Sequence, residues 1–167
     1  MLEGNCGKIT VVGYSLEAIV GPTAALSLVA RDVVSAVVVP LRQGMGLVPV
    51  TDRLVDEVAG GGSAASLGFW RFPGGFDRLL RGWSGAGPLA YVEAEFFGGV
   101  GSQRAAVWSG GALVFGPVAL GEGQLVPVDG TPISQALAWV GVTREGVHDE
   151  FDSVDLGRHR HTEDWLP

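Results

Sequence analysis

The chain is poor in several things that would narrow its function. It has a single cysteine, Cys6, so no internal disulfide can form and a reducing cytoplasm is the expected setting. Only Lys8 is a lysine, and with a formal net charge of −7 the chain lacks the basic footprint that nucleic-acid binding requires. Long apolar runs are also missing. The longest, residues 33–41, is interrupted by Ser35 and Pro40 and falls far short of a membrane span. The opening MLEGNCGK has no charged region followed by an apolar stretch, so no signal peptide is expected.

Complete catalytic motifs are absent too. Gly98-Gly99-Val100-Gly101 runs from one strand pattern into another, with no helix and no Lys-Ser/Thr behind it. A phosphate loop needs a helix N-terminus, so a hairpin turn is the better reading. The stretch from Gly13 to Glu17 lacks the second glycine of a nucleophile elbow, which removes Ser15 as a nucleophile. Cys6 has no paired histidine and no cationic neighbour except Lys8, so it reads as incidental. No cofactor is expected.

What is present is ample core material. Hydrophobic residues make up 47% of the 167, with five Trp and seven Phe. A chain of this length suits one domain and buries well over half of its extended surface on folding.

Residues 88–117 carry the clearest signal. Between 90 and 97, Ala90, Val92, Ala94 and Phe96 alternate with Tyr91, Glu93, Glu95 and Phe97, as a pleated strand requires. Glycines at 98, 99 and 101 supply a turn, residues 103–109 alternate again, and Ser109-Gly110-Gly111 turns the chain into a third strand at 112–115. Pro117 removes a ladder donor and is expected to end that strand.

Around this meander, residues 9–20 read as one bent strand or two short ones, residues 33–39 as a strand buried on both faces, and 47–50 as a short strand. Helices are expected at 24–31 (with Thr23 as cap), 52–59, 76–83 and 133–140, and a short one around 149–154. Residues 60–66 read as a flexible surface loop, 125–128 as weak strand, and 156–167 as a docked or mobile tail. Interleaved helices around an antiparallel meander predict a single α+β domain: a mixed or antiparallel sheet, with helices mainly on one face.

Two groups of residues could carry function. Tyr91, Glu93, Glu95 and Phe97 share one strand face, where two carboxylates between two aromatics suit a protein-binding surface. The spacing of Glu93 and Glu95 also suits acid/base work or a divalent cation. An ordinary solvated face explains the same residues, since carboxylates are usually exposed. In the tail, His159 and His161 lie on one side of an extended segment, and Asp152 or Asp155 could complete a metal site if the chain folds back at Gly157. The alternative is a docked tail, with Arg158 and Arg160 paired to carboxylates and Trp165 as anchor. His148 stands alone.

The run YVEAEFFGGVGSQRAAVW, with PISQALAWVGV and DEFDSVDLGRHRHTEDW, resembles small uncharacterised cytoplasmic proteins of actinobacteria, in keeping with a GC-rich amino-acid bias. In style it is similar to bacterial immunity proteins. That resemblance implies a non-enzymatic protein that binds another protein, a basic toxin in the immunity case, and fixes no residue roles. The competing expectation is a metal-dependent hydrolase using His159, His161 and Asp155.

Overall fold

Tyr14–Pro22 (β1) is the strand on which the sheet is built. The structure is a computed structural model, and it describes residues 13–58, 66–146 and 148–167. Cys6, the first residues of the strand expected at 9–20, and most of the 60–66 loop lie outside them.

Alternation in Leu89–Phe97 (β4), Val100–Ser109 (β5) and Ala112–Leu120 (β6) produces the expected meander. β1 pairs antiparallel with β4 from Tyr14↔Phe96 to Val20↔Ala90. Its other edge takes Met45–Pro49 (β3), followed outward by the two-residue Val39–Pro40 (β2). The order is β2-β3-β1-β4-β5-β6, antiparallel throughout, which confirms the α+β reading.

Helices cover both faces, where the sequence suggested mainly one. Leu16, Ala18, Val20, Ala90 and Val92 face Pro132–Trp139 (α4) and Glu150–Ser153 (α5). Ile19, Val48, Tyr91 and Trp108 face Thr23–Ala30 (α1), Asp52–Val58 (α2) and Phe76–Trp83 (α3). This second core is aromatic. Phe72 stacks on Trp108 at 5.7 Å and meets Tyr91 edge-on at 4.9 Å, and the Trp108 indole N–H donates to Asp77 at 3.0 Å. Each such ring pair adds about 0.5–1.5 kcal/mol beyond the area it buries.

Several expectations change. Residues 34 and 35 form a turn and 36–38 no regular element, rather than a buried strand, because the Glu57 carboxylate accepts from Val34 N and Ser35 N (2.8 and 2.7 Å) and holds the backbone out of the ladder. Pro117 does not stop β6, which continues to Leu120 past a register shift. As the outermost strand, β6 tolerates a missing donor on its open side. Residues 125–128 are exposed and outside any strand. Thr23 makes no capping bond, whereas Thr131 caps α4 and Thr51 accepts from Leu54 N.

The tail is docked. β3 pairs with residues 18–22 of β1 and Val50 N donates to Glu17 O at 2.9 Å, leaving the edge at 14–16 open. Arg160 O accepts from Ser15 N at 2.8 Å there, and Thr162 Oγ1 accepts from Glu17 N at 3.0 Å. Trp165, 2% exposed, anchors the end. Among the described residues no helix is long and apolar enough to cross a membrane.

Two glycines test this geometry in opposite directions. A Cβ on Gly101 would sit 2.1 Å from Glu95 O, whereas one on Gly82, within α3, meets nothing within 4 Å. Gly101→Ala should destabilise by about 1–3 kcal/mol through overpacking against backbone. Gly82→Ala should stabilise by about 0.5–1 kcal/mol. Urea unfolding of both variants checks the pair, and equal effects would contradict the hairpin packing.

Candidate protein-recognition site

The four residues singled out on β4 do share a face, but the structure divides them. Tyr91 and Glu93 are buried, at 0% and 1% exposure, while Glu95 is exposed and Phe97 is 67% exposed. The solvated-face explanation therefore fails for the first two, which contact no solvent and present nothing to a partner.

Glu93 is buried because the segment around residues 69–72 folds over it. Its carboxylate accepts from Trp70 N at 2.9 Å, Arg71 N at 2.8 Å and the Tyr91 hydroxyl at 3.0 Å. Phe69 and Phe72 fix the segment on either side, each edge-on to Tyr91 at 4.9 Å. Across the strand pair lies Glu17, which accepts from Arg71 Nη1 at 2.7 Å and from Thr162 Oγ1 at 2.8 Å. One buried carboxylate thus joins sheet and loop, and its neighbour on β1 ties both to the tail.

Burial pushes the Glu93 carboxyl above its ordinary range, against the opposing pull of its three donors. Burial also pushes the Tyr91 phenol well above its usual value, with the Glu93 charge acting in the same sense, so Tyr91 stays a neutral donor.

The clamp determines what the surface displays. With its backbone held by Glu93, Trp70 lies over the Arg104 guanidinium, 4.2 Å from ring centroid to Cζ, and remains 39% exposed. Arg104 also donates through Nη1 to Gly68 O, and its Nε is buried without an acceptor among the described residues. Register continues the stripe from Arg104↔Glu93 through Ser102↔Glu95 to Val100↔Phe97. Four residues of strand place Phe97 about 13 Å beyond Glu93. The surface stripe is therefore Trp70, Glu95, Phe97 and Val100, with the half-buried Arg104 beneath the Trp70 ring. Sequence reasoning found Glu95 and Phe97. It missed Trp70 and Arg104 because loop-to-strand contacts leave no periodic trace.

Beside the stripe, β6 carries no charged residue, and Leu125 and Val128 beyond it are 93% and 103% exposed. Pro117 and the register shift opposite Ala105–Val107 interrupt this uncharged edge and blunt it as a template for strand pairing.

The tail residues are not gathered into a metal site. Among the described residues no group of three or more His, Cys, Asp or Glu could hold a metal ion. His159 packs edge-on against Trp165 at 4.8 Å, His161 is exposed beside Ser15, and the Asp155 carbonyl accepts from Arg158 N at 3.2 Å. Arg158 reaches the Pro40 carbonyl at 2.9 Å rather than a carboxylate, and His148 lies 3.6 Å from Asp152.

Comparison with family models, curated proteins and solved structures finds no match for the chain.

The Glu93 clamp has a defined pH signature. A folded-state value above the unfolded one means the folded chain keeps a proton that the unfolded chain has released. Its stabilising contribution is complete below the unfolded value and is lost as pH rises through the folded one. Glu93→Gln cannot titrate and turns an amide NH₂ toward backbone donors, costing about 1–3 kcal/mol. Urea titrations over a pH series should show wild type more stable, by a margin that narrows as pH rises. A margin that widens would contradict the raised value.

Proposed function

We propose that this chain is a non-enzymatic protein-binding protein that uses the Trp70–Arg104–Glu95–Phe97 stripe to hold another protein. The observation carrying this reading is that the buried Glu93 carboxylate holds the backbone of Trp70, whose partly exposed ring lies over the Arg104 guanidinium. Trp and Arg, with Tyr, are enriched among the residues that dominate interface energetics, and pre-ordered side chains lose less entropy on binding.

The net charge of −7 supports a basic partner, drawn in by long-range attraction while the aromatics supply affinity. A toxin neutralised by its immunity protein is a partner of this chemistry. A cytoplasmic setting agrees with the lone cysteine.

A photo-crosslinking amino acid placed at Phe97 or Trp70, and at the exposed control Leu28 on the α1 side, tests the reading in the source cell. One discrete product from positions 97 and 70, absent from position 28, is expected. Titration with that partner should then show Trp70→Ala and Phe97→Ala each weakening binding by about tenfold or more. The same products from all three positions, or none from any, would count against the stripe.

A further inference from the structure

On the opposite side of β4, the residues between the stripe positions floor a cavity of about 320 Å³. Its walls are apolar: Ala94 and Phe96 of β4, Tyr14 of β1, Ile133 of α4 and Phe151 of α5. Gln103 of β5 also lines it, and this glutamine is only 7% exposed. Its Oε1 accepts from Ile133 N at 2.9 Å, which settles which end of the amide faces the helix. The Nε2 donor has no acceptor among the described residues and is not among the atoms sealed from solvent, so it is open to the cavity.

A molecule that fills the cavity displaces the water this donor can reach, so it must offer the donor an acceptor or leave it buried and unpaired. Charge narrows what that molecule can be. Among the described residues no arginine, lysine or histidine lines the cavity, while Asp149 does, its carboxylate accepting from Asp152 N and Ser134 Oγ (2.9 and 3.4 Å). An anion entering here would meet a like charge with no cation among these residues to offset it. Tyr14 spends its hydroxyl proton on Leu156 O at 3.0 Å, and burial raises its phenol value further, so it stays neutral.

We infer that the cavity is a binding site for a small, neutral, mainly apolar molecule whose carbonyl oxygen accepts from Gln103 Nε2. Volume and lining fit the lower end of small-molecule sites, apolar walls with a few convergent polar groups. The site is independent of the protein-binding stripe, because it uses the even-numbered residues of β4 and the α4–α5 side of the sheet.

Three probes of one shape separate the chemistry: acetylcyclohexane, cyclohexanecarboxylate and methylcyclohexane. The readout is the Gln103 side-chain amide resonance in ¹H–¹⁵N spectra, with the Phe96 and Phe151 ring signals. The ketone should shift all three saturably, and the carboxylate should bind at least tenfold more weakly. Methylcyclohexane should move the rings without the amide. Gln103→Glu keeps the acceptor for Ile133 N and replaces the donor, so it should weaken the ketone by about tenfold or more, the effect expected of one lost hydrogen bond to a buried group. No ketone response up to its solubility limit overturns the proposal, as does carboxylate binding of equal strength or ketone binding indifferent to Gln103→Glu. The wild-type probe series decides the matter alone if that variant does not fold.

Discussion

The burial of Glu93 is the constraint on which much of this molecule depends. A carboxylate in the middle of a sheet is costly unless hydrogen bonds replace its water, and this one receives three. Two of the donors are backbone N–H groups of a connection between helical elements, so satisfying Glu93 also fixes that connection over the sheet. Phe69 and Phe72 enter the aromatic core as a consequence, against Tyr91 and Trp108. Removing the carboxylate would therefore disturb a polar contact and an apolar one together, because the loop that caps the charge also closes the core.

The elements that sequence revealed best were those with local causes. The helix at 76–83 is found at its expected bounds, because Phe76, Leu80 and Trp83 form one buried stripe at helical spacing. The meander was visible in period-2 alternation and in its glycine turns. Residues 33–38 were misleading because an apolar run specifies burial without specifying pairing, and a distant carboxylate, Glu57, captured the backbone. Pro117 was misleading for a related reason. Its effect depends on whether a neighbour lies outside β6, and strand order is not written locally.

The candidate site shows the same division. Alternation placed Tyr91, Glu93, Glu95 and Phe97 on one face correctly, yet could not show that residues 69–72 cover half of that face. The two glutamates are identical in pattern, and tertiary contact gives them opposite roles: Glu93 holds the structure and Glu95 meets solvent. His159 and His161 illustrate the converse. Their spacing suggested a shared metal ion, while the aromatic anchor Trp165 takes one ring and leaves the other exposed beside β1.

β4 separates two chemically different surfaces by the thickness of one backbone. Glu95 and Phe97 look toward the exposed stripe, while Ala94 and Phe96 line the cavity, and β5 repeats the arrangement with Arg104 beside Gln103. Successive side chains on a strand point to opposite faces, so the residues of one surface make no contact with those of the other. The Glu93 clamp acts on one side of this divide, through Trp70 and Arg71, and Gln103 bonds to α4 on the other.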